Sequence, residues 1–204
     1  INDEGRVVSL IEALCKTFGC DRQLLSARLD SHSFAIRVNN ELFVRSVARL
    51  DFDNDRVDFY CDVAPGEELV LVRRTPFAST TERDYRAFMA NKPGEPLAGM
   101  FNDCVLRRLY NSAELAGLAR IFGGGNIAGF STFGEILGLN LNQTLTAVFF
   151  FRTQPADTFR DEYVDNFVSH YGEFKAFFLR RHNAKLAGMS RVMVQQISDY
   201  RSGN

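Results

Sequence analysis

A single carboxylate, Glu135, stands inside the most apolar stretch of the chain, GFSTFGEILGLNLNQTLTAVFFFR, Gly129 to Arg152. The same stretch holds Ser131, Thr132, Asn140, Asn142, Gln143 and Thr144, with Gly129, Gly134 and Gly138 spaced among them. A carboxylate between two core strands must be exposed, paired with a cation or directed into a cavity, because an isolated buried charge is costly. The residues alone leave a solvated loop and a binding pocket equally open. Cys104 and Arg107 are the next candidates. In FNDCVLRR the cysteine falls where a strand runs into a helix, and a helix N-terminus stabilises a thiolate. The plainer reading is a small side chain packed beneath that helix. Of Arg107 and Arg108, one is expected to pair with an acid and the other to be solvated. Either would alternatively clamp a carboxylate through the planar fork of its guanidinium.

Other chemistries lack their residue patterns. The three histidines, His32, His170 and His182, form no HxxxH, HxH or Cys/His spacing for a metal. A single proximal histidine suffices for haem, which keeps His32 and His182 as candidates for that cofactor. There is no GxSxG elbow for a nucleophilic serine. The triplet Gly123-Gly124-Gly125 follows a helix and precedes a strand, the reverse of a phosphate-binding loop, and so reads as helix termination. No catalytic residues are assigned, and the chain is not expected to be an enzyme.

The elements that must carry these residues follow from periodicity. Val7 to Phe18 places apolar residues at helical spacing, with Gly19 as the stop and a second short helix from Asp21 to Leu29. SFAIRV alternates as a half-buried strand, and Asn39-Asn40 suits a tight hairpin turn. LFVRSVARL, DRVDFYCDV and EELVLVRR read as three more strands, joined by DFDND and APGEE, and short links predict an antiparallel meander. TTERDYRAFMA opens like a helix with a threonine cap at Thr80. LAGMFNDC is a buried strand, VLRRLYNSAELAGLARIF one or two helices, and IAGFSTF and TLTAVFFFR the last two strands. A final helix is predicted from about Asp157 to Tyr200. Its first half is expected to pack on the domain through Phe167, Tyr171, Phe174 and Phe178. Its second half, with Leu186, Met189, Met193, Ile197 and Tyr200, would form a coiled-coil stem.

Bulk properties exclude some classes. A net charge of −1 over 204 residues provides no basic footprint for nucleic acid. The longest apolar run, Leu145 to Phe151, is far short of the roughly 20 residues of a membrane helix. Four cysteines without CxxC spacing suggest reduced thiols and a cytoplasmic protein. Nineteen Phe with no Trp assign the aromatics mainly to core, since Phe needs no hydrogen-bond partner. The chain opens on Ile1, so it is expected to be a piece of a longer protein.

FNDCVLRRL, AGFSTFGEI and LNQTLTAVFF, in that order and spacing, resemble the C-terminal domain of the FIST family. The resemblance covers about Leu24 to Phe151. GFSTFGEI and NQT are its specific parts, and SFAIRVNNELFVRSVARLD and CDVAPGEELVLVRR are similar in kind. It implies a sensory input domain of a bacterial signal-transduction protein, ahead of a chemotaxis-receptor, kinase or cyclic-dinucleotide module. It implies a small-molecule ligand such as an amino acid, with haem-based nitric-oxide sensing as the alternative. It also implies an N-terminal FIST half and a downstream signalling module as partners beyond this chain. Matching positions give Glu135, Arg107, Thr132, Asn142, Thr144 and Cys104 as ligand-binding residues. Glu135 would receive a ligand amine and Arg107 a ligand carboxylate, unless the two pair with each other.

The expected architecture is α+β, a largely antiparallel sheet of about seven strands flanked by helices, with a long C-terminal helix. Residues 1–154 would form the sensory domain and 155–204 the helix, with a homodimer left open. A protein-interaction scaffold is the remaining alternative. No resident cofactor is expected outside the haem alternative.

Overall fold

The computed structural model describes residues 8–64, 67–123, 125–137, 139–158 and 160–203. Helix α1, Leu10–Phe18, begins where the Ser9 hydroxyl accepts from the Glu12 amide at 3.3 Å and ends on Gly19 at φ 59°. That left-handed cap is what a glycine supplies without steric cost. Val7, read as the first residue of this helix, lies outside the described residues. Helix α2, Arg22–Leu29, is capped by Asp21, which accepts from the Leu24 amide at 3.0 Å. The faces of α1 and α2 bury Ile11, Leu14, Leu25 and Leu29 against Phe34.

Strands β1, His32–Val38, and β2, Glu41–Arg45, form the hairpin expected at Asn39-Asn40, with Asn39 at φ 53°. The next segment departs from a simple meander. LFVRSVARL breaks at Ser46 into β2 and β3, Val47–Asp51, which among the described residues pairs with β4, Arg56–Phe59, and not with β2. Strand β5, Val70–Arg73, then returns to the other side of β1, so the first sheet has the order β2-β1-β5. The Pro65-Gly66 turn lies outside the described residues.

Helix α3, Phe77–Met89, starts one turn earlier than its threonines suggest. Pro76 precedes it without a side-chain cap, and the Thr81 hydroxyl bonds back to the Phe77 carbonyl at 2.8 Å. Strand β6, Ala98–Cys104, runs into α4, Val105–Tyr110. A 3-10 turn at Ser112–Gly117 and α5, Leu118–Ile121, follow. Gly123 at φ 72° ends α5, while Gly124 lies outside the described residues. Strand β7, Ile127–Thr132, pairs parallel with β6. Gly129 is required there, because a Cβ at this position would stand 2.3 Å from the Phe101 carbonyl oxygen.

The segment between the last two expected strands contains a small hairpin, β8, Glu135–Leu137, and β9, Leu139–Leu141. Gly138 lies outside the described residues. Gly134 enters the hairpin at φ 148°, with the Leu141 carbonyl 2.7 Å from where a Cβ would sit. Strand β10, Leu145–Phe150, completes a second sheet of order β10-β6-β7. The class is α+β with mainly antiparallel pairing, as expected. Among the described residues ten strands divide among four sheets, and β6–β7 is the parallel exception.

The final helix comes in two pieces, α6, Glu162–Asp165, and α7, Phe167–Ser202. Phe174 and Phe177 carry its docking on the domain. Phe177 is buried with Ile36, Val38 and Phe43, and Phe174 meets Phe43 edge-on at 5.6 Å. Burying one such ring contributes about 2–3 kcal/mol. Phe167, Tyr171 and Phe178, expected on the domain, are exposed instead. Only part of the predicted aromatic stripe turns toward the core. From Leu186 onward the apolar positions of α7 face outward. Among the described residues no helix is long and apolar enough to cross a membrane.

Candidate functional site

The two three-stranded sheets face each other across a cavity of about 550 Å³. Val44 and Val72 of the first sheet form one wall, and Leu145, Ala147 and Phe149 of β10 form the other. Helix α3 contributes Phe77, Thr81, Tyr85 and Phe88. At the aromatic end, Tyr85 meets Phe122 at 4.9 Å, and Phe149 packs against Tyr85, Phe88 and Phe101. The polar end holds Ser33, Arg74, Arg107, Gln143 and Thr144. A cavity in this volume range, with one aromatic end and one end rich in polar side chains, suits a small-molecule ligand. A second pocket of about 240 Å³ adjoins it and shares Ser33, Arg74 and Gln143.

The six residues singled out in the sequence gather at the C-terminal end of β6, and most are satisfied there by one another. Arg107 is buried, and its Nη1 donates to both carboxylate oxygens of Asp103 at 3.0 and 3.1 Å. Its Nη2 donates to the Thr81 hydroxyl at 2.8 Å, and the guanidinium lies 4.4 Å from the centre of the Phe77 ring. The acid beside Arg107 is therefore Asp103, not Glu135. Glu135 is buried and accepts from the hydroxyls of Thr132 and Thr144, one on each carboxylate oxygen. Thr144 reaches the cavity wall, so Glu135 stands one hydrogen bond behind it.

Cys104 occupies the strand-to-helix junction as expected and is fully buried. Its amide donates to the Thr144 carbonyl at 3.0 Å. Asn142 ties this seam to the first sheet. Its amide donates to the Val44 carbonyl at 3.1 Å, and its Oδ1 accepts from the Ser46 amide at 3.2 Å and the Cys61 thiol at 3.1 Å. Gln143 follows at φ 59°, an uncommon backbone for a side chain of this kind, and donates to the Ser46 hydroxyl at 2.8 Å.

A charge cluster that sequence reasoning missed lies beyond Cys61. Arg45 is fully buried, and none of its guanidinium nitrogens makes a hydrogen bond among the described residues. Burial pushes the Cys61 thiol up, and the Arg45 charge pulls it partly back. Arg181 of α7 donates to Asp62, which holds that carboxyl below its ordinary range, with Arg45 adding to the effect. Arg181 Nε also stands 2.6 Å from Glu67, whose side chain is buried. An arginine on the inward face of β2 was the visible signal, since Arg45 shares its side of the hairpin with Phe43.

The histidines stand away from the large cavity. His32 packs edge-on against Phe18 at 5.0 Å, with Nδ1 3.0 Å from both the Ser31 hydroxyl and the Arg28 carbonyl. It borders the 240 Å³ pocket, which is small even for a drug-sized ligand. His182 is exposed on α7. These placements do not fit a haem. Among the described residues no three His, Cys, Asp or Glu side chains are grouped to hold a metal ion.

A family model described as the FIST C domain matches residues 11–137. The chain belongs to the FIST C domain family. The match spans the first sheet, α3 to α5 and the GFSTFGEI segment, and stops before the Asn-Gln-Thr triplet that closes the seam. FIST C is a sensory domain family associated with signal transduction, not a known enzyme family. No curated protein and no solved structure matches the chain.

Proposed function

We propose that this FIST C domain is a ligand-binding input module, in which a small molecule occupies the cavity between the two sheets and its presence is relayed to α7. The observation that carries this reading is a continuous polar path from the cavity wall to that helix. It runs from Gln143 through Ser46 and Asn142 to Cys61, and by one further residue to Asp62 and Arg181. A ligand that moves Gln143 changes the partner of Ser46 and biases the far end of the path. Such a bias is limited to the ligand's difference in affinity for the two arrangements. Occupancy by an amino-acid-sized molecule suits the volume. The six seam residues then act as frame around the ligand, with Thr144 and Arg107 touching the cavity directly.

The expected partners, an N-terminal FIST half and a downstream module, belong to this proposal. Two apolar surfaces support it: the outer face of the second sheet, with Met100, Phe130, Val148 and Phe150, and the distal stripe of α7.

Hydrogen exchange tests the relay. Saturating ligand is expected to change exchange across residues 174–185 in the wild-type chain. Arg181→Ala should keep binding and lose that change. Binding with an unaltered α7 in the wild type would sink the relay.

A further inference from the structure

The charges at the cavity wall are unevenly spent, and this imbalance specifies the ligand. Arg107 is committed to Asp103. Asp84, the acid on the lining, is committed to Arg83 at 2.8 Å on an exposed rim. Arg73 lines the cavity but is open to solvent. Arg74 differs from all three. It makes no ion pair among the described residues, and its Nε is buried without a hydrogen-bond partner. Its guanidinium is fixed 4.1 Å above the Tyr110 ring, where stacking holds the plane and the buried Nε meets no acceptor. It sits at the junction of the two pockets, beside Ser33 and Gln143. Asp30 borders the smaller pocket and is exposed to solvent.

A buried donor without an acceptor costs free energy, and a ligand that supplies the acceptor recovers it. We propose that Arg74 receives the carboxylate of the ligand, and that the ligand is a monocarboxylate with an apolar, aromatic-sized body and no charged amine. This inference rests on the reading of the cavity as the ligand site. The body would lie against Tyr85, Phe88 and Phe149, where the lining is aromatic. One unspent, partly buried cation matches one negative charge; the other lining cation without an ion pair among the described residues, Arg73, is open to solvent and would hold a second charge only weakly. An ammonium finds no uncommitted carboxylate on the lining, because Asp84 is paired outward and Glu135 is held by two threonines. A zwitterion would therefore bury its amine unpaired, at a cost that the neutral analogue avoids.

The test is a titration of the full chain with five probes that share one ring and differ in the polar group. These are 3-phenylpropionate, phenylalanine, 2-phenylethylamine, 3-phenylpropanamide and phenyl phosphate. Binding strongest for 3-phenylpropionate is expected, with the amine and the amide at least tenfold weaker. Arg74→Met should weaken 3-phenylpropionate by about tenfold to a hundredfold, the worth of a hydrogen bond to a charged group. It should leave the amide unchanged. Arg74→Lys keeps the charge and removes the buried Nε, and should recover only part of the loss. Ala147→Trp fills the cavity and should abolish binding of every probe.

Phenylalanine or the amine binding as tightly as 3-phenylpropionate overturns the inference, as does unchanged binding in Arg74→Met. If such a probe is still blocked by Ala147→Trp, the cavity reading stands and only the ligand class falls. Binding that survives Ala147→Trp, or no binding by any probe, overturns both.

Discussion

The seam at the end of β6 and the cavity beside it share residues but differ in how their polar groups are spent. In the seam, Glu135, Thr132 and Thr144 satisfy one another, Arg107 has Asp103, and Asn142 bridges Ser46 and Cys61. At the cavity, Arg74 keeps a buried donor without a partner. The difference teaches that a motif-rich segment is not automatically the binding surface. Through Asn142, which bonds Val44 and Ser46, the seam is tied to the first sheet. On the proposed reading, recognition falls to Arg74, a lining residue with a buried donor left unsatisfied. Glu135→Ala, which strips the acceptor from the Thr132 and Thr144 hydroxyls, should therefore lower stability.

Removing one partner of a buried ion pair tests the seam most severely. Asp103→Ala leaves the Arg107 charge buried among Phe77 and Thr81, and should destabilise the domain by about 3–5 kcal/mol. Urea unfolding measures this, and a change below about 1 kcal/mol would show that Arg107 finds water instead. Gly129→Ala should cost about 1–3 kcal/mol by forcing β7 away from β6. Because β10 lies on the other side of β6, near-UV circular dichroism of the cavity aromatics should change with it. A wild-type spectrum and midpoint would contradict the 2.3 Å approach to the Phe101 carbonyl.

The smallest effect concerns pH. Asp62 is depressed first by the hydrogen bond from Arg181, so its contribution is present above the unfolded carboxyl range and is lost as pH falls through the lower folded value. Below about pH 4 the tether on α7 should loosen by a few tenths of a kcal/mol, as expected for an exposed pair. Exchange across residues 174–185 would report it. An Asp62→Asn chain with the same acid response as wild type would assign the effect to other carboxylates.

Much of the frame was legible in the sequence because local rules decide it. Gly19 and Asp21 mark the end of α1 and the start of α2, and Asn39-Asn40 makes the first hairpin, whereas the Ser9 cap went unread and α1 begins at Leu10. The junction at Cys104 was visible from apolar β6 meeting VLRRLY. The β8–β9 hairpin was hidden because its glycines and asparagines read as a loop, while its stability comes from burying Leu139 and Leu141 beside Phe43 and Phe177. The return of β5 to β1 was equally invisible, since short links suggest neighbours in sequence order and only tertiary packing sets the exchange. The cavity had no local signature. Ser33, Arg74, Tyr85, Gln143 and Phe149 come from five separate segments, and nothing in their spacing marks them as one surface.

A crystal structure of the chain grown with 3-phenylpropionate is the most direct measurement. Density for the ring among Tyr85, Phe88 and Phe149, with the carboxylate on Arg74, is the expected result. Density for the probe elsewhere, with the space between the two sheets empty, would contradict the assignment of that cavity as the sensory site.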